Sequence, residues 1–357
     1  MPLTISAPDS LRMSVEAASG GLNTVLYTAK GQPCYMRVVP KFNLQDIDAS
    51  LGTGVHPAFV VNGLEKSELF IGQHLGASLN GEMLSLPGRD PLASINHDSA
   101  VALARANGAG WHVMTNAEWA ALQLWCWKNG FQPRGNSQYG RSSDATNEIG
   151  VRSDGLTVTG ANQGSQSRTL TGSGPTAWRH DNTPFGIADL NGNVWEWSPG
   201  MRINNGEIQV IENNNAALSS ANFGVSSVEW RAIDGATGNL VALGSTGTVK
   251  YASANSGTAD YTLYRTSGSS FEGMVNTTGA APVSAAAIAK LKALGLFPVA
   301  PSGLGSDGFY LNVSGERLPY RGGHWFSAAI TGVFALSLND VRSFSNAILG
   351  ARPAFVL

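Results

Sequence analysis

The sequence predicts a loop-rich α+β chain, on three observations. Glycine (43) and proline (16) supply about one of the 357 residues in six, too many for a helical bundle. Helix start and stop signals are few and well separated, whereas short alternating apolar runs bounded by Gly, Asn and Ser recur along the chain. The apolar share of 43% is enough to bury a substantial core.

Residues 1–33 are polar and end in a turn at Lys30-Gly31. Tyr35 to Val39 then reads as a strand stopped by Pro40. Ala58 to Val61 and Glu68 to Ile71, on either side of Asn62-Gly63, read as a hairpin-like pair. A short helix is expected over Ser99 to Ala106, capped by Asp98 and stopped at Asn107-Gly108. The best-marked element follows: Thr115 and Glu118 form a T-x-x-E capping box, Trp119, Leu122 and Cys126 make an apolar stripe, and Asn129-Gly130 ends the helix.

Between 155 and 175 the chain is Gly, Ser, Thr and Gln, a surface loop. A β-rich insertion spans about 201–280, opened by a hairpin whose turn is Asn205-Gly206. A third helix begins at the N-cap Ser284, runs through an alanine-rich stretch and ends before Gly295.

Charge and composition exclude several functions. Lys plus Arg is 23 against 25 for Asp plus Glu, with no basic run to neutralise a row of phosphates, so nucleic acid is not an expected partner. The longest apolar runs fall far short of the roughly 20 residues a membrane helix needs, and residues 1–13 do not read as a secretory signal. Cys34 and Cys126 cannot build a disulfide framework or a four-cysteine zinc site and read as small buried hydrophobes. The six histidines are too scattered for a His-x-x-x-His metal pair, and neither a G-x-S-x-G elbow nor a phosphate-binding loop occurs.

Two strings stand out. In Gly186 to Trp197 (GIADLNGNVWEW), Val194 and Glu196 alternate with Trp195 and Trp197 after an Asn-Gly-Asn turn. One reading is a tight turn entering a strand with two core indoles. The other is a calcium site, with Asn191, Gly192 and Val194 offering oxygens beside the Glu196 carboxylate. In the last forty residues, His324 and Phe326 alternate with Trp325, Ser337 and Asn339 with Leu336 and Leu338, and Phe344, Asn346 and Ile348 with small residues. These are either ordinary core side chains or a mixed recognition face of apolar anchors and short polar groups.

These strings carry a resemblance. Gly110 to Trp119 (GWHVMTNAEW), Gly186 to Trp197 and Arg321 to Trp325 (RGGHW) resemble, in order, three segments of the formylglycine-generating enzyme (sulfatase-modifying factor) family, a branch of the C-type lectin fold. The resemblance implies an α+β C-type lectin fold over residues 34–357, behind a short segment 1–33. The enzyme's activity does not follow, because no cysteine occurs after Cys126 and the family's cysteine pair lies near its carboxy terminus. The calcium-binding tripeptides of sugar-binding C-type lectins, Glu-Pro-Asn and Gln-Pro-Asp, are also missing.

The region 322–353 is more similar to another branch, the variable proteins of diversity-generating retroelements. Gly322 to Trp325 (GGHW), Gly332 to Asp340 (GVFALSLND) and Gly350 to Pro353 (GARP) match its cassette without gaps. In that family, error-prone copying at adenines turns asparagine codons into codons that keep a pyrimidine in third position. The matching diversified positions are His324, Phe326, Ser327, Ile330, Ser337, Asn339, Asp340, Phe344, Asn346 and Ile348, all residue types with such codons.

The resemblance therefore implies a non-enzymatic ligand-binding protein whose variable face takes a protein or cell-surface receptor, as a phage tail component or otherwise a bacterial surface adhesin. No cofactor is required, and a structural calcium ion is the one candidate. The rival expectation is a metal- or cofactor-dependent enzyme related to the formylglycine-generating oxidases.

Overall fold

The computed structural model describes residues 9–253, 260–265, 270–277 and 280–357. Parts of the first segment and of the 201–280 insertion therefore lie outside the described residues.

The chain is α+β, as the sequence predicts. One five-stranded antiparallel sheet runs in the order Asn23–Tyr27, Pro33–Pro40, Glu68–Gly72, Pro353–Phe355, Trp111–Val113. Its fourth strand comes from the far end of the sequence, so early and late parts of the chain are closed together by backbone hydrogen bonds.

Helices pack beside this sheet as the capping signals demand. In Asn116–Lys128, the Thr115 hydroxyl accepts the Glu118 N–H at 3.1 Å and the Glu118 carboxylate accepts the Thr115 N–H at 2.8 Å. Ala285–Ala293 is capped by Ser284 and followed by Gly295 at φ +64°, where a side chain would be strained. The earlier helix is His97–Arg105, with Asn96 as its cap and Asp98 inside its first turn. A helix at Ser10–Ser19, capped by Asp9 and closed by Gly20, stands where the sequence suggested only a polar segment.

The turn at Asn62-Gly63 joins Val60–Val61 to Leu64–Glu65, while Glu68–Gly72 pairs with Pro33–Pro40 instead of closing the hairpin. The insertion opens with the expected hairpin, Met201–Asn204 against Glu207–Ile211, and grows into an eight-stranded sheet. Its apolar face shares one core with the 116–128 helix: Ile203, Ile208 and Val210 belong to the same buried cluster as Leu122, Leu124 and Phe334. Asn214 of the insertion joins the helix start, accepting from the Thr115 hydroxyl at 2.7 Å and donating to Glu118 at 3.0 Å. No helix among the described residues is long and apolar enough to cross a membrane.

A third sheet carries the carboxy-terminal cassette. Its order is Phe309–Leu311, Gly332–Leu338, Tyr320–Gly322, Trp195–Trp197, Leu349–Gly350. The long central strand Gly332–Leu338 is buried along its whole length.

Candidate functional site: an uncharged hollow on the third sheet

The cassette alternates between residues that fix the backbone and residues that face a cavity. Trp119 of the capped helix donates its indole N–H to the Val333 carbonyl at 2.7 Å, and its ring closes on Gly322, where a Cβ would meet it at 3.1 Å. Arg321, fully buried, donates to the Asn116 side chain at 2.6 Å and to the Gly295 carbonyl at 2.9 Å. Two helices thus hold the Tyr320–Gly322 and Gly332–Leu338 strands. Val333, Phe334, Leu336 and Leu338 are core residues, and Trp325 packs into a second cluster with Leu75 and Val194.

On the opposite side of this frame lies an open hollow of about 350 Å³. His324, Phe326, Ser327, Ile330, Ser337, Asn339 and Ile348, seven of the ten positions singled out from the sequence, line it together. They arrive from three separate stretches: the 324–330 turn, the end of the central strand, and the approach to Leu349–Gly350.

Three further residues complete the lining and were not foreseen: Trp195, Tyr310 and Tyr320. Trp195 sits edge-on to Tyr320 (5.1 Å between ring centres) and to Tyr310 (6.3 Å), an arrangement aromatic quadrupoles favour. The alternation in Gly186 to Trp197 does put the two indoles on one side of a strand. That one indole is a floor, and that two tyrosines join it, depends on sheet order, to which no local pattern points: Tyr310 arrives by parallel pairing with residues 336–338 and Tyr320 by antiparallel pairing with Trp197.

His324 lies 6.3 Å from Trp195 and only 4.0 Å from Phe326, ring centre to ring centre. Burial pulls its pKa down to about 4, so the ring is neutral at pH 7. Its Nδ1 accepts the Phe326 N–H at 3.3 Å, which assigns the proton to Nε2. Phe326 is 47% exposed and stacks nearly parallel on Tyr139, at 6.1 Å and 12°. No lining residue carries a charge at neutral pH. The chemistry on offer is apolar and aromatic contact ringed by hydroxyl, amide and imidazole groups.

The other three positions are not in the lining. Asp340 accepts a hydrogen bond from the Tyr320 phenol at 2.6 Å and so braces the floor from behind. Asn346 is exposed and caps its own turn, its side-chain oxygen accepting the Ile348 N–H at 3.2 Å. Phe344 is half-buried and packs against the cluster containing Trp195, Trp197 and Tyr320, a scaffold contact in place of the anchor expected from its alternation.

The expected calcium ligands meet a protein cation. Glu196 is 1% exposed, and its two oxygens accept from Arg352 Nε at 2.9 Å and Nη2 at 2.8 Å. The same guanidinium donates to the carbonyls of Gly72 and Ala188. Glu196 thus already has its counter-charge, and Gly192 is held by its N–H donating to the Gly322 carbonyl. Asn191 donates to the Pro133 carbonyl at 2.8 Å and leaves its side-chain oxygen buried without a partner. Val194 packs in the cluster with Trp325. Among the described residues no group of three His, Cys, Asp or Glu side chains could hold a metal ion. The two cysteine thiols are buried, and burial pushes the Cys34 pKa up to about 12.

No family model matches the sequence, and no curated protein does. Among solved structures, the chain is similar to Treponema denticola variable protein 1, with 13% identity, a TM-score of 0.35, and 94% of this chain and 99% of that one covered.

Proposed function

We propose that this chain is a variable protein of a diversity-generating retroelement, and that the hollow is a diversified site for a protein receptor on a cell surface. A phage tail component that selects its host is the setting this reading favours. The observation that carries it is the convergence of His324, Phe326, Ser327, Ile330, Ser337, Asn339 and Ile348, read from alternation and from the resemblance to the cassette, around one hollow with an aromatic floor. A rigid frame with exchangeable side chains is what a changing specificity needs, since new contacts then leave the core untouched.

Phe326, half-exposed, supplies apolar area that a partner would cover, and Ile348, partly buried against the clusters of Trp195 and Trp325, adds a smaller share. Asn339 and the neutral His324 add adaptable hydrogen bonds. Fluorescently labelled protein should bind the bacterial strain that displays its receptor, and Phe326→Ala with Ile348→Ala should abolish that binding while the protein stays folded, its melting temperature a few degrees below the parent's. Undiminished binding by the double variant would remove the hollow as the binding site.

A further inference from the structure

Behind the hollow, on the other side of the same loop, lies a second cavity of about 220 Å³ whose chemistry is the opposite: it is acidic. At its base is Asp307, 8% exposed, with its carboxylate laid against Gly332 so closely that a Cβ there would meet both oxygens at 2.2 Å. One carboxylate oxygen accepts the Phe334 N–H at 2.7 Å. The charges that act on Asp307 are Glu272 and Asp144, both of its own sign. Arg134 also lines the cavity, but its guanidinium is committed to Glu148, with Nε 2.9 Å from the carboxylate.

An independent feature lies in the same wall. Asn191, 7% exposed and part of the lining, has a buried side-chain oxygen that no donor reaches. A buried acceptor without a donor is unfavourable, and burial beside two like charges pushes the Asp307 carboxyl well above the usual carboxylate range, so that without a cation it is held towards its neutral form. Both deficits are met by one positively charged donor.

We propose that this cavity binds a primary alkylammonium group, either a free amine or the end of a lysine side chain. The ammonium has three N–H donors, which are met by Asp307, the Asn191 side-chain oxygen and Asp144 at the exposed edge. Pro133, Leu304 and Phe334 give its methylene chain an apolar wall. A divalent metal fits less well, because calcium takes six to eight oxygens and no three acidic or imidazole groups converge among the described residues. Ala329 and Thr331 belong to this cavity's wall while Ile330 between them lines the hollow, so an occupant braces the loop that presents the variable residues.

The test is thermal melting of the full chain titrated with n-butylammonium chloride, with n-butanol as the uncharged match and calcium chloride as the metal. Butylammonium should raise the melting temperature by a few degrees and saturate, whereas butanol and calcium should not. Asp307→Asn should weaken the response by about tenfold or more, the loss of one charge-assisted hydrogen bond. The exposed Asp144→Asn folds regardless of the core and should weaken it by a smaller factor. A free amine is the source if lysine-rich peptide gives no response, and a side chain if it does. The proposal is overturned by no response to butylammonium, an equal response to butanol, a response to calcium alone, or full affinity in Asp307→Asn. Should that variant fail to fold, unweakened binding by Asp144→Asn overturns it.

Discussion

Phe326 separates a recognition surface from a core, and the separation can be worked from its surroundings. Truncating a fully buried Phe to Ala costs about 3–5 kcal/mol, from lost transfer energy and the cavity left behind. Phe326 is 47% exposed, so roughly half of that burial is at stake, and the space it leaves opens to solvent, which removes the cavity cost. Its stacking on Tyr139 adds about 0.5–1 kcal/mol. Phe326→Ala should therefore destabilise by about 1.5–2 kcal/mol. Phe334, eight residues on in the same cassette, is 1% exposed in the main core, and Phe334→Ala should cost the full 3–5 kcal/mol, on the order of twice as much. Urea denaturation of the two variants beside the parent, with equal m-values, gives both numbers directly. Equal losses in the two variants would make Phe326 a core residue and refute the assignment of the hollow.

Two further outcomes follow from the buried ionisable groups. His56 and His324 are held near pKa 4, and His74 and His180 near 3, by burial. The unfolded chain takes up these protons near the ordinary histidine value of 6.5 while the folded one does not, so stability should be full above that pH and fall as pH drops from 6.5 towards 4. His56 alone contributes on the order of 3 kcal/mol to that fall, and urea midpoints that match at pH 7.5 and pH 4.5 would contradict it. For the Glu196–Arg352 pair, Glu196→Ala strands a buried guanidinium and should cost about 3–5 kcal/mol, while a chelator should leave the parent's melting temperature unchanged. A chelator-sensitive parent would restore calcium at Asn191, Gly192, Val194 and Glu196.

What the sequence could reveal depended on how local each cause was. The capping box at Thr115 and Glu118 and the Ser284 cap with Gly295 are settled within a few residues, and both helices stand where they were expected. The Asn62-Gly63 turn was equally legible, but its true partner strand, Leu64–Glu65, is only two exposed residues long, and Glu68–Gly72 is claimed by a more distant strand. The helix at Ser10–Ser19 had its cap, Asp9, and its terminating Gly20 in plain view. Its short stripe of Leu11, Val15 and Ala18 was also there to read, and the helix packs against Asn23–Tyr27.

The site divides in the same way. Alternation and cassette pattern found seven lining residues, most of them beside a buried scaffold neighbour such as Trp325, Leu336, Leu338 or Leu349. Tyr310 and Tyr320 were invisible, since only the sheet order brings them under the rim. Phe344, Asn346 and Asp340 share the pattern but are used by a core cluster, a turn cap and a phenol, which a codon or periodicity argument does not see. The calcium reading of Glu196 stayed open in the sequence because its counter-charge, Arg352, lies 156 residues away.

The most direct measurement is of the gene, compared across isolates and with any near-copy of its 3′ end lying downstream. The account predicts a repeat that differs at adenines, with changes falling in the codons of the hollow residues, His324 to Ile348, and sparing those of Trp325, Val333, Phe334, Leu336 and Leu338. A cassette identical in every isolate and without such a repeat, or one whose changes fall evenly on hollow and scaffold codons, would contradict it.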